Sequence, residues 1–100
     1  MTIDQEYDAV IIGSGMGGMS TAALLANDGY NVLILEQALH PGGCSSSYPR
    51  KGYVFESGAT TLIGFDENQP LKWLENKTGI HIPREELSPS MKVRMGEDTI

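Results

Sequence analysis

Residues 8–36 read DAVIIGSGMGGMSTAALLANDGYNVLILE, and the fold follows from how this stretch is punctuated. Val10, Ile11 and Ile12 form a continuous apolar run inside a strand predicted from Tyr7 to Ile12. Runs of this kind suit a parallel strand buried on both faces. Gly13 to Gly18 then make a glycine-rich turn. Met16 to about Asn27 is predicted helical, with Met19, Ala22, Ala23 and Ala26 on one face and Leu24 and Leu25 widening the stripe. Gly29 suits the left-handed position just past the helix end. Asn31 to Glu36 repeats the strand signature. Strand, helix and strand with short connections make a right-handed βαβ unit, the seed of a doubly wound α/β sheet.

The turn itself, Gly13-Ser14-Gly15-Met16-Gly17-Gly18, satisfies G-x-G-x-x-G at Gly13, Gly15 and Gly18. Gly13 allows the tight exit from the strand, Gly15 lets a pyrophosphate approach bare backbone, and Gly18 lets the helix lie close to the sheet. Free N–H groups and the positive end of the helix dipole favour the pyrophosphate charge. Alone the motif is weak. Its context is specific, because it follows a strand, opens a helix, and has Glu36 at the end of the second strand. A carboxylate there accepts hydrogen bonds from the adenosine ribose hydroxyls and disfavours a 2′-phosphate. The bland alternative is a βαβ unit that holds no dinucleotide.

Beyond this unit the signals thin out. Gln37 to Gly52 carries Pro41, Gly42, Gly43, three serines and Pro49, and reads as a long polar loop. Tyr53 to Glu56 is a short strand, and Ser57 to Thr60 is a flexible stretch. Gln69 to Thr78 reads as a helix with Pro70 in its first turn, Leu71, Leu74 and Trp73 facing inward, and Gly79 at its end. Met91 to Met95 reads as a strand that turns at Gly96-Glu97-Asp98 into a return strand at Thr99-Ile100.

The chain has 100 residues and a formal net charge of −6, from 13 acidic against 7 basic residues. With no basic stripe, nucleic acid is excluded as a partner. Cys44 is the single cysteine, so no internal disulfide forms. No apolar run approaches the ~20 residues that span a bilayer. The expectation is a cytoplasmic protein, with contact to a membrane surface left open.

The stretch YDAVIIGSGMGGMSTAALLANDGYNVLILEQALHPGGCSSSY (7–48), followed by GYVFESGATTLIG (52–64), resembles the N-terminus of the phytoene desaturase, carotenoid isomerase and retinol saturase-like flavoproteins, which share the amine oxidase type of FAD fold. The resemblance implies an N-terminal FAD-binding segment of an oxidoreductase acting on an apolar polyene. It further implies that Gly13, Ser14, Gly15, Met16, Gly17, Gly18, Glu36 and Gln37 meet the ADP moiety. Gly42 and Gly43 would sit on the other side of the diphosphate, and Gly58, Ala59 and Thr60 near the flavin end. Where many relatives carry Arg after the glycine pair, this chain has Cys44, which leaves the branch of the family open. On this reading residues 1–66 are the ADP-binding unit and glycine-pair loop. Residues 67–100 begin a substrate or accessory region, and the remainder of the enzyme follows in the same or a separate chain.

No acid, base or nucleophile stands out as catalytic, and no metal site is expected. Cys44 has no second cysteine to resolve it and is read as a small loop residue. His40 and His81 lack ligand spacing. Glu85 and Glu86, being adjacent, point apart and are assigned to solvent. Two rival readings stand beside the flavoenzyme: an NAD-binding dehydrogenase fragment, and a non-catalytic truncated or split-gene product.

Overall fold

The structure, a computed structural model, describes residues 5–59 and 61–100. Strand β1 (Ala9–Ile12), helix α1 (Met16–Asn27) and strand β2 (Val32–Leu35) form the expected βαβ unit, with β1 and β2 parallel and Ala9 opposite Val32 through Ile12 opposite Leu35. The α/β expectation is therefore borne out. Both ends of the two-stranded ladder are clamped. The Asp8 amide donates to the Asn31 carbonyl at 2.8 Å while the Asn31 amide donates to Asp8 Oδ2 at 2.7 Å. At the other end the Gly13 amide donates to the Leu35 carbonyl at 2.7 Å, which fixes where the glycine turn leaves the sheet.

Helix α1 stops as its sequence requires. The amides of Gly29 and Tyr30 bond back to the carbonyls of Ala26 and Leu25, with Gly29 at φ +93°. Ala22 is the one buried apolar residue among those described. β1 departs from expectation, because its side chains alternate instead of being covered on both faces. Val10 is 54 % and Ile12 87 % exposed, since α1 lies over one face and no other element among the described residues packs on the opposite one.

The predicted loop 37–52 is more structured than its composition suggests. After a 3₁₀ turn at Gly43–Ser45, strand β3 (Ser47–Arg50) pairs antiparallel with β4 (Tyr53–Glu56) across the two-residue turn Lys51-Gly52. Both turn residues have positive φ, +51° and +83°, the condition for a tight hairpin matched to strand twist. Pro49, which has no N–H to give, is tolerated because β3 pairs on one side only. Tyr48 stacks on Phe55 across the ladder at 5.7 Å between ring centroids.

Helix α2 (Pro70–Thr78) settles its first-turn donors fully. Pro70 has none, and the amides of Leu71 and Lys72 both donate to the Gly64 carbonyl, at 2.9 and 3.0 Å. Gly79 closes the helix at φ +74°. α2 packs on α1, where Asn27 Nδ2 donates to the Lys77 carbonyl at 3.1 Å. Trp73, expected inward, is instead 54 % exposed; Glu75 takes the inward position. Strands β5 (Arg94–Met95) and β6 (Asp98–Thr99) make a short hairpin around Gly96-Glu97, extended by reciprocal bonds between Val93 and Ile100. No helix among the described residues is long and apolar enough to cross a membrane.

Candidate functional site

The site is built where β1 ends, β2 ends and the second glycine segment returns. Gly13 leaves β1 at φ +102°, a conformation side chains rarely take, and Gly15 is the N-cap of α1. A Cβ on Gly18 would collide with the Gly13 carbonyl oxygen and lie 3.4 Å from Ile11 Cγ2, so only glycine lets the helix sit this close to the strand. A Cβ on Gly15 would meet nothing within 4 Å. The space in front of Gly15 is open to solvent, as a cradle for another group requires.

The two helices differ in how their first turns are satisfied. Those of α2 are taken by Gly64, whereas the amides of Met16, Gly17 and Gly18 have no partner among the described residues. Gly15 offers no side-chain cap and no acidic residue stands in the first turn of α1. The unpaired amides and the helix dipole together favour an anion at this end.

Glu36 lies just beyond β2 and does more than the sequence suggests. Its Oε1 accepts the Ser14 amide at 2.9 Å and the Ser14 hydroxyl at 2.6 Å, while Oε2 accepts the Ala38 amide at 2.8 Å. The Ser14 hydroxyl above all, then the Ala38 and Ser14 amides, hold the Glu36 carboxyl down at about 2 against the opposing effect of burial. Ser14, 2 % exposed, in turn accepts the Gly42 amide on its Oγ at 3.1 Å.

The second glycine pair thus reaches the first. A Cβ on Gly43 would approach the Gly15 Cα to 3.0 Å, so the two bare segments are in direct backbone contact. Gly58 is drawn in behind them, its missing Cβ facing the Cys44 carbonyl oxygen at 3.0 Å. Ser57 fixes that approach through its amide on the Ser46 carbonyl, 2.9 Å, and the paired Ser46 and Ser57 hydroxyls, 3.0 Å. Met16 is half exposed at the helix start, Gln37 is exposed, and Ala59 is partly buried without a bond to the cluster. Thr60 lies outside the described residues.

A second polar cluster went unread in the sequence. Glu75, its side chain 6 % exposed, accepts the Ile82 amide at 2.8 Å and Arg84 Nη1 at 2.7 Å, with His81 Nδ1 at 3.4 Å and Lys72 Nζ at 3.9 Å. Arg84 first, then the Ile82 amide, hold its carboxyl at about 2. The Arg84 guanidinium also covers the Phe65 ring at 3.9 Å. The spacing of Leu71, Glu75 and Thr78 on one helical face was the available signal, since an acid on an inward stripe requires a partner. An open groove of ≈ 750 Å³ between residues 61–66 and 83–90 shares no residue with the glycine cluster. No group of three or more His, Cys, Asp or Glu among the described residues is arranged to hold a metal.

With this geometry in place, comparison with known proteins is decisive for the fold. Residues 11–77 match the sequence family described as the NAD(P)-binding Rossmann-like domain. The chain belongs to this family. It is also 48 % identical over 63 residues to prolycopene isomerase, chloroplastic, of Daucus carota, a match covering 63 % of this chain and 10 % of that protein. It is 45 % identical over 56 residues to all-trans-retinol 13,14-reductase of Rattus norvegicus, covering 56 % and 9 %. A Danio rerio protein named inactive all-trans-retinol 13,14-reductase is 39 % identical over 70 residues, covering 70 % and 12 %. The chain spans about a tenth of the length of these relatives. The resemblance to the carotenoid isomerase and retinol saturase group is borne out over this Rossmann-like region.

Proposed function

We propose that this Rossmann-like segment binds the ADP half of FAD, as part of an oxidoreductase acting on an apolar polyene. The observation that carries the reading is the docking of Gly42-Gly43 onto the Gly15 turn. Two bare backbone segments converging on one place suit a doubly charged diphosphate approached from both sides. The unpaired amides of Met16 to Gly18 supply the donors. Glu36 is the group for the adenosine ribose, and its firmly ionised carboxylate would repel a 2′-phosphate. Gly58, which packs on the Cys44 carbonyl just after the second glycine pair, and its sequence neighbour Ala59 are assigned to the flavin side. Residues 1–66 form the ADP-binding unit on this proposal, and residues 67–100 begin a substrate or accessory region.

When bound, the flavin supplies the hydride and electron chemistry, and the protein supplies position and electrostatics. The substrate class is supported by the names of the relatives, which act on prolycopene and all-trans-retinol. Two alternatives keep support of their own: the family description favours NAD(P), and the inactive fish relative favours a non-catalytic product. The test is to purify the full-length protein and read its absorbance, then titrate it with FAD, ADP and NAD. Flavin bands and FAD binding tighter than NAD support the proposal; preferential NAD binding overturns it.

A further inference from the structure

We infer that Ser14 is a positioning residue: its hydroxyl joins Glu36 to Gly42 and so sets the separation of the two glycine segments, without itself touching the cofactor. The direction of the bonds is fixed by chemistry. An ionised carboxylate only accepts, so the single hydroxyl hydrogen of Ser14 goes to Glu36 Oε1 at 2.6 Å. The Oγ lone pairs are then free to accept the Gly42 amide at 3.1 Å. The Ser14 amide ends on the same carboxylate oxygen at 2.9 Å, so the turn is held twice. Ser14 is 2 % exposed, and its hydroxyl is occupied on both sides, by Glu36 and by the Gly42 amide.

Acceptor capacity leads to the same assignment. A carboxylate offers roughly four lone-pair sites, and Ser14 and Ala38 already use three of them on Glu36. About one is left for the ribose, so part of what Glu36 does is done through Ser14. Loss of the hydroxyl would free the carboxylate but release Gly42, and with it the contact of Gly43 on Gly15. Chains with Ala at this position would need another tie between the segments.

This inference rests on the FAD reading for its purpose, and the experiment separates the two. In the ligand-free full-length protein, Ser14→Ala is expected to raise Gly42 amide exchange about tenfold, as for a lost hydrogen bond of ordinary net strength. The Glu36 carboxyl, followed by carbon NMR, should titrate markedly higher than in the unaltered protein. FAD affinity should fall by a similar factor, with no further fall when Ser14→Ala is added to Glu36→Ala. Ser14→Thr, which keeps the hydroxyl, should hold exchange and titration at their original values. If the unaltered protein binds neither FAD nor ADP, the flavin reading fails, and exchange and titration still decide the role of Ser14. Unchanged exchange and titration in Ser14→Ala, or Ser14→Thr behaving as Ser14→Ala does, overturns the positioning role.

Discussion

Gly43 lies against Gly15 with no room for a side chain between them: a Cβ on Gly43 would stand 3.0 Å from the Gly15 Cα. The contact joins positions 28 residues apart, at the start of α1 and in the return segment. Its tightness sets the first expectation. Gly43→Ala, at φ +60°, is strained in its backbone by about 1–2 kcal/mol, and its methyl must also push the segments apart. FAD affinity should fall about tenfold or more, as for a misplaced hydrogen-bond donor, while circular dichroism stays unchanged. Undiminished flavin uptake would show that the spacing of the segments is immaterial.

Gly15→Val tests the open side of the same contact. Gly15 has φ −70° and no atom within 4 Å of its missing Cβ, so valine can be accommodated by the protein itself. The branched side chain then occupies the space in front of the helix start. Thermal stability should change little while dinucleotide binding disappears, measured by melting and by FAD titration of the same sample. Equal occupancy in both proteins would mean that the turn does not face the cofactor.

Glu36→Ala removes the proposed ribose contact and the anchor of Ser14 together. FAD should dissociate faster, with affinity lowered by about tenfold or more, consistent with the loss of a charge-assisted hydrogen bond. The βαβ unit should persist, since Glu36 follows β2 and takes no part in its ladder. Flavin off-rates by stopped flow are the measurement, and an unaltered off-rate removes Glu36 from the site.

Acid should destabilise the protein through two carboxylates. Glu36 and Glu75 are both held at about 2 in the fold, against an ordinary value of 4.5. Above the ordinary value both groups are ionised in the folded and unfolded chain alike, and their contribution is complete. As pH falls from 4.5 towards 2, the unfolded chain takes up protons that the fold refuses, so stability declines. Below both values the contribution is gone. Urea midpoints measured across this range should fall with acid. Glu75→Gln, which keeps the shape but cannot pair its charge with Arg84, should be less stable near neutrality and show a shallower acid decline. An equally steep decline in this variant would exclude Glu75 as a source.

These 100 residues purified alone should bind a hydrophobic dye. Their Cα radius of gyration is 17.5 Å, against about 13 Å for a compact domain of this length. Val10, Ile12, Leu39 and Ile63 stand exposed. Exposed apolar side chains in this number bind such dyes when they cluster. Dye fluorescence close to that of a well-packed control would contradict the exposure.

The βαβ unit and glycine turn were legible because each depends on local signals: a β-branched run, glycines at fixed offsets, and an acid at the end of the second strand. β3 was not, because its segment Ser-Tyr-Pro-Arg has neither alternation nor strong strand propensity. It becomes a strand only by pairing with Tyr53 to Glu56, a tertiary effect. The same holds for Glu75, whose spacing on the inward face was visible but whose partner Arg84 comes from outside the helix. Ser14 was placed near the cofactor on resemblance, while its link from Glu36 to Gly42 needed coordinates.

The order in which the chain is made gives the docking of the two glycine segments a temporal meaning. The glycine turn, Glu36 and the return segment, from Gly13 to Gly58, lie in one uninterrupted stretch of sequence. β1 and β2 pair across a single intervening helix, so the loop to be closed is short and its entropic penalty small. If the segment binds a nucleotide as proposed, the phosphate and ribose contacts can form while translation is still under way, and binding then stabilises this nascent segment by mass action.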